Sequence, residues 1–242
     1  MTKAWFEAWF DTGYYHLLYQ HRDDAEAARF LNRLFQQLGI KAGSNILDVA
    51  CGKGRHSIVM AGMGMNVTGI DLSPNSIEEA AHHTAKNLHF YVHDMREPFA
   101  DAAFDIVVNL FTSFGYSETE ADDLKTIKAA YAALKPGGLF IQDYLNALPV
   151  LQRLPEKTRA DREGIHFDMH KYYDAPFIKK DIRVQDAGNS FAYREQVKAY
   201  SLEQLRALHI QAGFQVEQLY GCIDLLPFNP SDSDRIILIS RK

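Results

Sequence analysis

The chain has 242 residues, 47% of them hydrophobic and 24% charged, a composition and length that bury a core needing no covalent staples. Its formal net charge of -5 leaves no broad positive field to capture nucleic acid or an anionic membrane, so a small molecule is the default partner. Two cysteines, Cys51 and Cys222, make neither a disulfide framework nor a zinc or redox spacing, which fits the reducing cytoplasm.

Residues 1–38 read as amphipathic helix, with Trp5, Phe6, Trp9 and Phe10 followed by Tyr14, Tyr15, Leu17, Leu18 and Tyr19, and a close at Gly39. The opening residues carry acid and aromatic groups where an export signal needs a basic region and an apolar run. From Asn45 short apolar runs alternate with helical stretches, the pattern of a parallel sheet with crossover helices. Strands are expected at Asn45–Val49, Asn66–Asp71, Leu88–Val92, Phe104–Leu110 and Leu139–Tyr144, and helices at Arg55–Met63, Ser73–Lys86 and Thr119–Leu134. Lys135-Pro136-Gly137-Gly138 reads as the turn before the fifth strand. Period-two runs between Leu145 and Ala199 predict antiparallel hairpins, after which a helix over Ser201–Ala212 and strands Phe214–Tyr220 and Arg235–Ser240 complete the sheet. The expected fold is therefore a doubly wound α/β domain with a mostly parallel, seven-stranded sheet. One domain spans residues 1–242: an N-terminal helical cap (1–43), a cofactor-binding half (44–144), a β insertion on the acceptor side (145–200) and a closing helix and hairpin (201–242). No stretch approaches the ~20 apolar residues of a membrane span.

The most informative run is Ile46-Leu47-Asp48-Val49-Ala50-Cys51-Gly52-Lys53-Gly54-Arg55-His56, a buried strand turning through small residues into a helix. The two glycines let the backbone bend and let a ligand approach main-chain N–H groups at the positive end of that helix. Open α/β sheets bind ligands at such carboxyl ends. Asp71 ends the second strand about 20 residues after the first glycine, the separation at which one βαβ unit grips a ribose. Ser73 beside it is a natural helix cap and Pro74 fits the first helical position. Counting Gly-x-Gly-x-x-Gly from Gly52 places Ser57 where a nicotinamide enzyme has its third glycine, which weakens a dehydrogenase reading without removing it.

The run Leu47-Asp48-Val49-Ala50-Cys51-Gly52-Lys53-Gly54 resembles the first motif of class I S-adenosylmethionine-dependent methyltransferases, with Ala50 where glycine is commoner. Asp71 resembles that family's ribose-holding acid. His93-Asp94-Met95-Arg96 resembles the motif whose acid meets the adenine amino group, Phe104–Asn109 the fourth motif, and Leu134–Leu139 the turn before the fifth strand. These matches, in order from Asn45 to Tyr144, imply a Rossmann-like methyltransferase fold and S-adenosyl-L-methionine as cofactor, but not the acceptor; with the charge balance above, methyl transfer to a small-molecule O or N nucleophile is expected, by a monomer or homodimer. They imply cofactor-binding roles for Asp48, Ala50, Cys51, Gly52, Gly54, Asp71, Leu72, Ser73, Asp94, Met95, Asn109, Leu110 and Phe111, and Tyr19 is added as a cofactor-binding candidate for its aromatic face.

By the resemblance Asp48 takes the methionine ammonium; the alternative is a strand-end carboxylate holding loop N–H groups. Asn109–Tyr116 lines the space between sulfonium and acceptor, and Tyr14, Tyr15 and Tyr19 offer hydroxyls or ring faces to a cation. Cys51 reads as a small filler, and no catalytic base is assigned among His56, His166 and His170. His166, Asp168 and His170 share one face of a strand, a pattern that the polar face of an exposed hairpin gives as readily as a metal site. Besides the methyltransferase, a nicotinamide dehydrogenase and a non-catalytic cofactor-binding protein stay open.

Overall fold

The computed structural model describes residues 5, 9–20 and 24–242; expectations for the other residues, Phe6 among them, lie outside the described residues. The chain forms two compact units, one joining the described part of Met1–Asp23 to Ala147–Ala199, the other joining Asp24–Asn146 to Tyr200–Lys242. The stretch read as one N-terminal helical cap is thus divided between them. Among the described residues no helix is long and apolar enough to cross a membrane.

In the first unit α1 is Gly13–Leu18; in the second α2 is Asp24–Leu38, β1 Asn45–Val49, α3 Arg55–Gly62, β2 Asn66–Asp71, α4 Pro74–Ala81, β3 Leu88–Val92, β4 Phe104–Asn109, α5 Glu120–Ala133 and β5 Leu134–Leu145. The first unit resumes with α6 Ala147–Arg153, β6 Glu156–Arg162, β7 Ile165–Asp174, β8 Phe177–Asp186 and β9 Asn189–Lys198; the second ends with α7 Leu202–Ala212, β10 Gln215–Tyr220 and β11 Arg235–Arg241.

The larger unit holds a seven-stranded sheet in the order β10-β11-β5-β4-β1-β2-β3, parallel from β3 to β5 and closed by antiparallel β11 and β10. Strands covered on both faces read as unbroken apolar runs, as Ile106-Val107-Val108 do in β4, all buried. Helix α2 buries Ala27, Phe30, Leu31, Leu34 and Phe35, one stripe at helical spacing. It joins Ile46, Met60, Val67, Ile141 and Ile239 in the main core. The chain order reverses between β1 and β4, a topological switch point, so the carboxyl ends there form the ligand crevice of such a sheet.

Three expectations change. Lys135-Pro136-Gly137-Gly138 is part of β5, because buried Leu134 already pairs with Phe104 and the register shift between Phe104 and Ile106 absorbs the extra residues. Helix α4 stops at Ala81 instead of running to Lys86: the N–H groups of His82, His83 and Thr84 bond three residues back, and Asn87 Nδ2 anchors the chain on the Ala61 and Met65 carbonyls. Helix α6, which follows Asn146, was not expected.

The smaller unit is a four-stranded antiparallel sheet, β6-β7-β8-β9. Glu163-Gly164 and Ala187-Gly188 turn two of its hairpins, all four residues at positive φ, the combination that matches strand twist in two-residue loops. Trp9, Leu18, Phe167, Ile182 and Val184 form its separate core.

Candidate active site

The geometry is set where β1 passes into α3. The Cys51 N–H bonds the Ile70 carbonyl at 3.0 Å, which ties the turn to β2, and the Gly54 N–H bonds the Cys51 carbonyl at 3.0 Å. The Gly52 N–H donates to Asp71 Oδ2 at 2.8 Å, while Asp71 Oδ1 accepts from the Ser73 N–H at 2.9 Å. These charge-assisted bonds aim the carboxylate. The Asp71 carbonyl also receives the His93 N–H at 2.9 Å, so the chain leaving β3 toward Asp94 and Met95 starts at the same point.

The two glycines do different work. Both sit at positive φ, +55° for Gly52 and +83° for Gly54, a region that burdens residues with a Cβ. At Gly54 a Cβ would stand 2.6 Å from the Phe90 ring, and Gly69 meets that ring equally closely; at Gly52 nothing among the described residues lies within 4 Å of such a Cβ. Gly54 is therefore a packing glycine and Gly52 opens onto free space. The expectation that the turn presents its N–H groups to the ligand needs correction, since those of Cys51, Gly52 and Gly54 are bonded within the protein. What the turn offers is room beside an oriented acid.

Asp48 is 2% exposed and accepts from the Ser57 hydroxyl at 2.6 Å. Burial pushes its carboxyl up to about 7, against the Ser57 bond that favours the charge and with Asp71 adding repulsion. Ser57, at the place of a third glycine, is thus the hydrogen-bond partner of the strand-end acid. Burial, then Asp48 and Asp71, push the Cys51 thiol well up, which leaves it a filler beside Gly69. Ala50 takes a positive φ of 58°, and Leu72 and Ser73 follow Asp71, the Ser73 Oγ capping α4 by accepting from the Ser76 N–H at 3.0 Å.

Asp94 is held by Arg96, whose Nε and Nη2 both reach its carboxylate and whose backbone N–H bonds Oδ1 at 2.9 Å. Burial alone would raise this carboxyl, but the Arg96 bonds outweigh it and hold it below the usual carboxylate range. Met95, which lies between them in the chain, is half-buried. At the end of β4 the Asn109 amide donates to the Val49 and Ser113 carbonyls, both at 3.1 Å, while its buried Oδ1 has no partner among the described residues. Leu110 packs its side chain into the core. The Phe111 ring lies 6.3 Å from His56. Asp105 of the fourth motif is at the opposite edge, where it accepts from the Asn45 N–H and pairs with Lys135.

Asp48, Ala50, Cys51, Gly52, Gly54, Asp71, Leu72, Ser73, Asp94, Met95, Asn109 and Phe111 thus gather at the carboxyl ends of β1 to β4. Tyr19 belongs to the smaller unit, where its hydroxyl donates to Glu195 and receives Lys180. His166 pairs with Asp161, Asp168 with Arg159, and His170 stacks on Tyr172. Ser57, Arg96 and Glu195 were missed as structural partners; only Ser57, by its count from Gly52, left a signal in the chain.

A family model described as a methyltransferase domain matches residues 40–204, more than half of the chain. A Bacillus subtilis (strain 168) protein bearing a methyltransferase name, YqeM, is 28% identical over 211 residues, 81% of this chain and 83% of that protein. Among solved structures, an S-adenosylmethionine-dependent methyltransferase from Clostridium acetobutylicum ATCC 824 superposes with a TM-score of 0.80 at 18% identity, over 94% of this chain and 95% of that one. CalS10 from Micromonospora echinaspora, an amino pentose methyltransferase solved with S-adenosylmethionine bound, gives 0.74 at 22% identity, over 95% and 97%. The chain belongs to the methyltransferase domain family, with the fold of the class I S-adenosylmethionine-dependent enzymes. The dehydrogenase alternative falls with that membership.

Proposed function

We propose that the protein binds S-adenosylmethionine at the β1–α3 turn and transfers its methyl group to a small-molecule oxygen or nitrogen nucleophile in the cytoplasm. The observation that carries the reading is the bond from the Gly52 N–H to Asp71 Oδ2 at 2.8 Å, beside a Gly52 with nothing among the described residues within 4 Å of its missing Cβ. The residues present fit the group. Asp71, oriented from two sides, suits a ribose diol; half-buried Met95 suits one face of a purine. Asp48 and the Asn109 Oδ1, which has no partner among the described residues, would suit the amino-acid end. A dinucleotide pyrophosphate would want unbonded turn amides, and three of these are taken within the protein.

When bound, the cofactor supplies a methyl group already activated on a sulfonium. The protein's part is then alignment and exclusion of water. Asp71 fixes the sugar, the Gly52 space sets how closely the ligand lies on the main chain, and the loop after Asn109 borders the reacting end. The net charge of -5 and the amino sugar named for CalS10 support a small acceptor.

Calorimetric titration with S-adenosylhomocysteine and with NADH tests the reading: heat is expected with the first only. A methyl-transfer screen over amino, hydroxyl and amino-sugar acceptors with labelled S-adenosylmethionine then identifies the nucleophile. Binding without transfer to any acceptor points to the non-catalytic alternative, and heat with NADH alone overturns the proposal.

A further inference from the structure

We infer that Asp143 and Arg235 are positioning residues for the methyl-transfer end of the cleft, acting through the loop that follows β4. The inference rests on the reading that this loop borders the space between cofactor and acceptor.

Phe111 and Thr112 are consecutive residues with φ of +64° and +63°. Neither is glycine, asparagine or aspartate, and residues with a Cβ enter this region at a cost. Such a pair persists where its surroundings over-determine it, and strained backbone of this kind concentrates at functional sites. Asp143, near the end of β5 and with a side chain only 2% exposed, takes both amides: Oδ2 accepts the Phe111 N–H at 2.9 Å, and its carbonyl accepts the Thr112 N–H at 2.9 Å. Arg235, the first residue of β11, donates through Nε to Asp143 Oδ1 at 2.7 Å and through Nη2 to Thr112 Oγ1 at 3.1 Å. Its guanidinium lies 5.3 Å from the centre of the Phe111 ring, and that of Arg55 lies 5.0 Å from the same centre. The Tyr116 hydroxyl also donates to the Thr112 carbonyl at 2.5 Å, and Asn109 Nδ2 donates to the Ser113 carbonyl at 3.1 Å.

The pair is not needed to close the sheet, because β11 and β5 are already joined along Arg235–Arg241 and Leu139–Leu145 by a main-chain ladder. One carboxylate oxygen and the far guanidinium nitrogen are turned to the loop instead. Desolvating two charges is costly, and their common product here is the shape of Phe111 and Thr112. The loop is thereby a preformed wall.

The test compares the unaltered protein with Arg235→Lys and with the double variant Asp143→Asn/Arg235→Met, which removes the clamp without stranding a buried charge. Amide hydrogen exchange is followed at Phe111 and Thr112, and the dissociation constants of S-adenosylmethionine and S-adenosylhomocysteine, which differ only at the sulfonium, are measured calorimetrically. The double variant is expected to exchange the Phe111 amide, the one held by the Asp143 side chain, at least about tenfold faster and to shift the ratio of the two dissociation constants at least about fivefold. Its S-adenosylhomocysteine affinity should stay within about threefold, and Arg235→Lys should fall between. Unchanged exchange at Phe111, faster exchange there with an unchanged ratio, or equal weakening of both ligands overturns the inference. If the double variant does not fold, Arg235→Lys decides by the same criteria. An unaltered protein that binds neither ligand overturns the cofactor reading itself.

Discussion

The two units show two ways for a β-sheet to carry polar groups. At the carboxyl ends of the parallel sheet Asp71 is held by main-chain N–H groups, and the nearby Gly52 opens onto space. On the antiparallel sheet the polar side chains answer one another: Arg159 with Asp168, Arg194 with Asp181, and Lys180 with Glu195, each across neighbouring strands. In the sequence, His166, Asp168 and His170 share one strand face and invite a metal reading, but the polar face of an exposed hairpin is the expected explanation, whereas Asp48 and Asp71 are expected to hold a ligand. The difference is that a backbone-held acid beside open space leaves room for a ligand, whereas cross-strand pairs complete themselves.

Five substitutions probe this contrast. Asp71→Ala should act most strongly, weakening S-adenosylhomocysteine at least about 100-fold through loss of charge-assisted bonds to the sugar; calorimetry showing unchanged affinity would place the cofactor elsewhere. Gly54→Ala should follow with a loss of about 3 kcal/mol, from left-handed strain plus collision with Phe90, read as a fall in Tm of roughly 10 °C. Gly52→Ala is its control: it should lower Tm far less and ligand affinity more, and equal Tm losses would refute the division of labour between the two glycines.

Asp48 offers a pH test. Its folded carboxyl titrates at about 7 against a reference of 3.8, so between those values the folded state binds a proton that the unfolded state has released. Stability from this group is therefore complete below about pH 4 and is lost as pH rises to about 7. Asp48→Asn should raise Tm at pH 8 more than at pH 5. If the carboxylate form holds the ligand's ammonium, affinity for S-adenosylhomocysteine should weaken up to about tenfold per unit as pH falls below 7. An Asp48→Asn profile with the same slope as the unaltered protein rules that role out.

The smallest effect belongs to the other sheet. Arg159→Ala, at an ion pair whose arginine side chain is 87% exposed, should change stability by no more than about 0.5 kcal/mol and leave ligand affinity untouched. Measurable loss of S-adenosylhomocysteine binding there would show that the antiparallel sheet takes part in holding the cofactor.

Local pattern was enough to locate most of the larger unit. Short apolar runs placed β1 to β4, and a helix expected over Ser201–Ala212 and closed by Gly213 is α7, because these signals act over a few neighbouring residues. The same locality misplaced Lys135-Pro136-Gly137-Gly138, where pairing of Leu134 with distant Phe104 overrides a turn-forming composition. Cofactor candidates at the turn were legible because tight bending demands glycine in the chain itself. The partners of those candidates were not: Asp48 with Ser57, Asp94 with Arg96, Phe111 with Asp143, and Tyr19 with Glu195.

What the chain alone determined is the alternation of buried strand and helix, the two glycines after Val49 and the acid that ends β2, since period, bend and strand end are properties of neighbouring residues. Tertiary structure decided which glycine faces open space, which turn amides are already bonded, and how Asp143 and Arg235, 92 positions apart, come to grip Phe111 and Thr112. These depend on which strands become neighbours, and hydrogen bonds and ring contacts act only across the few ångströms that folding creates.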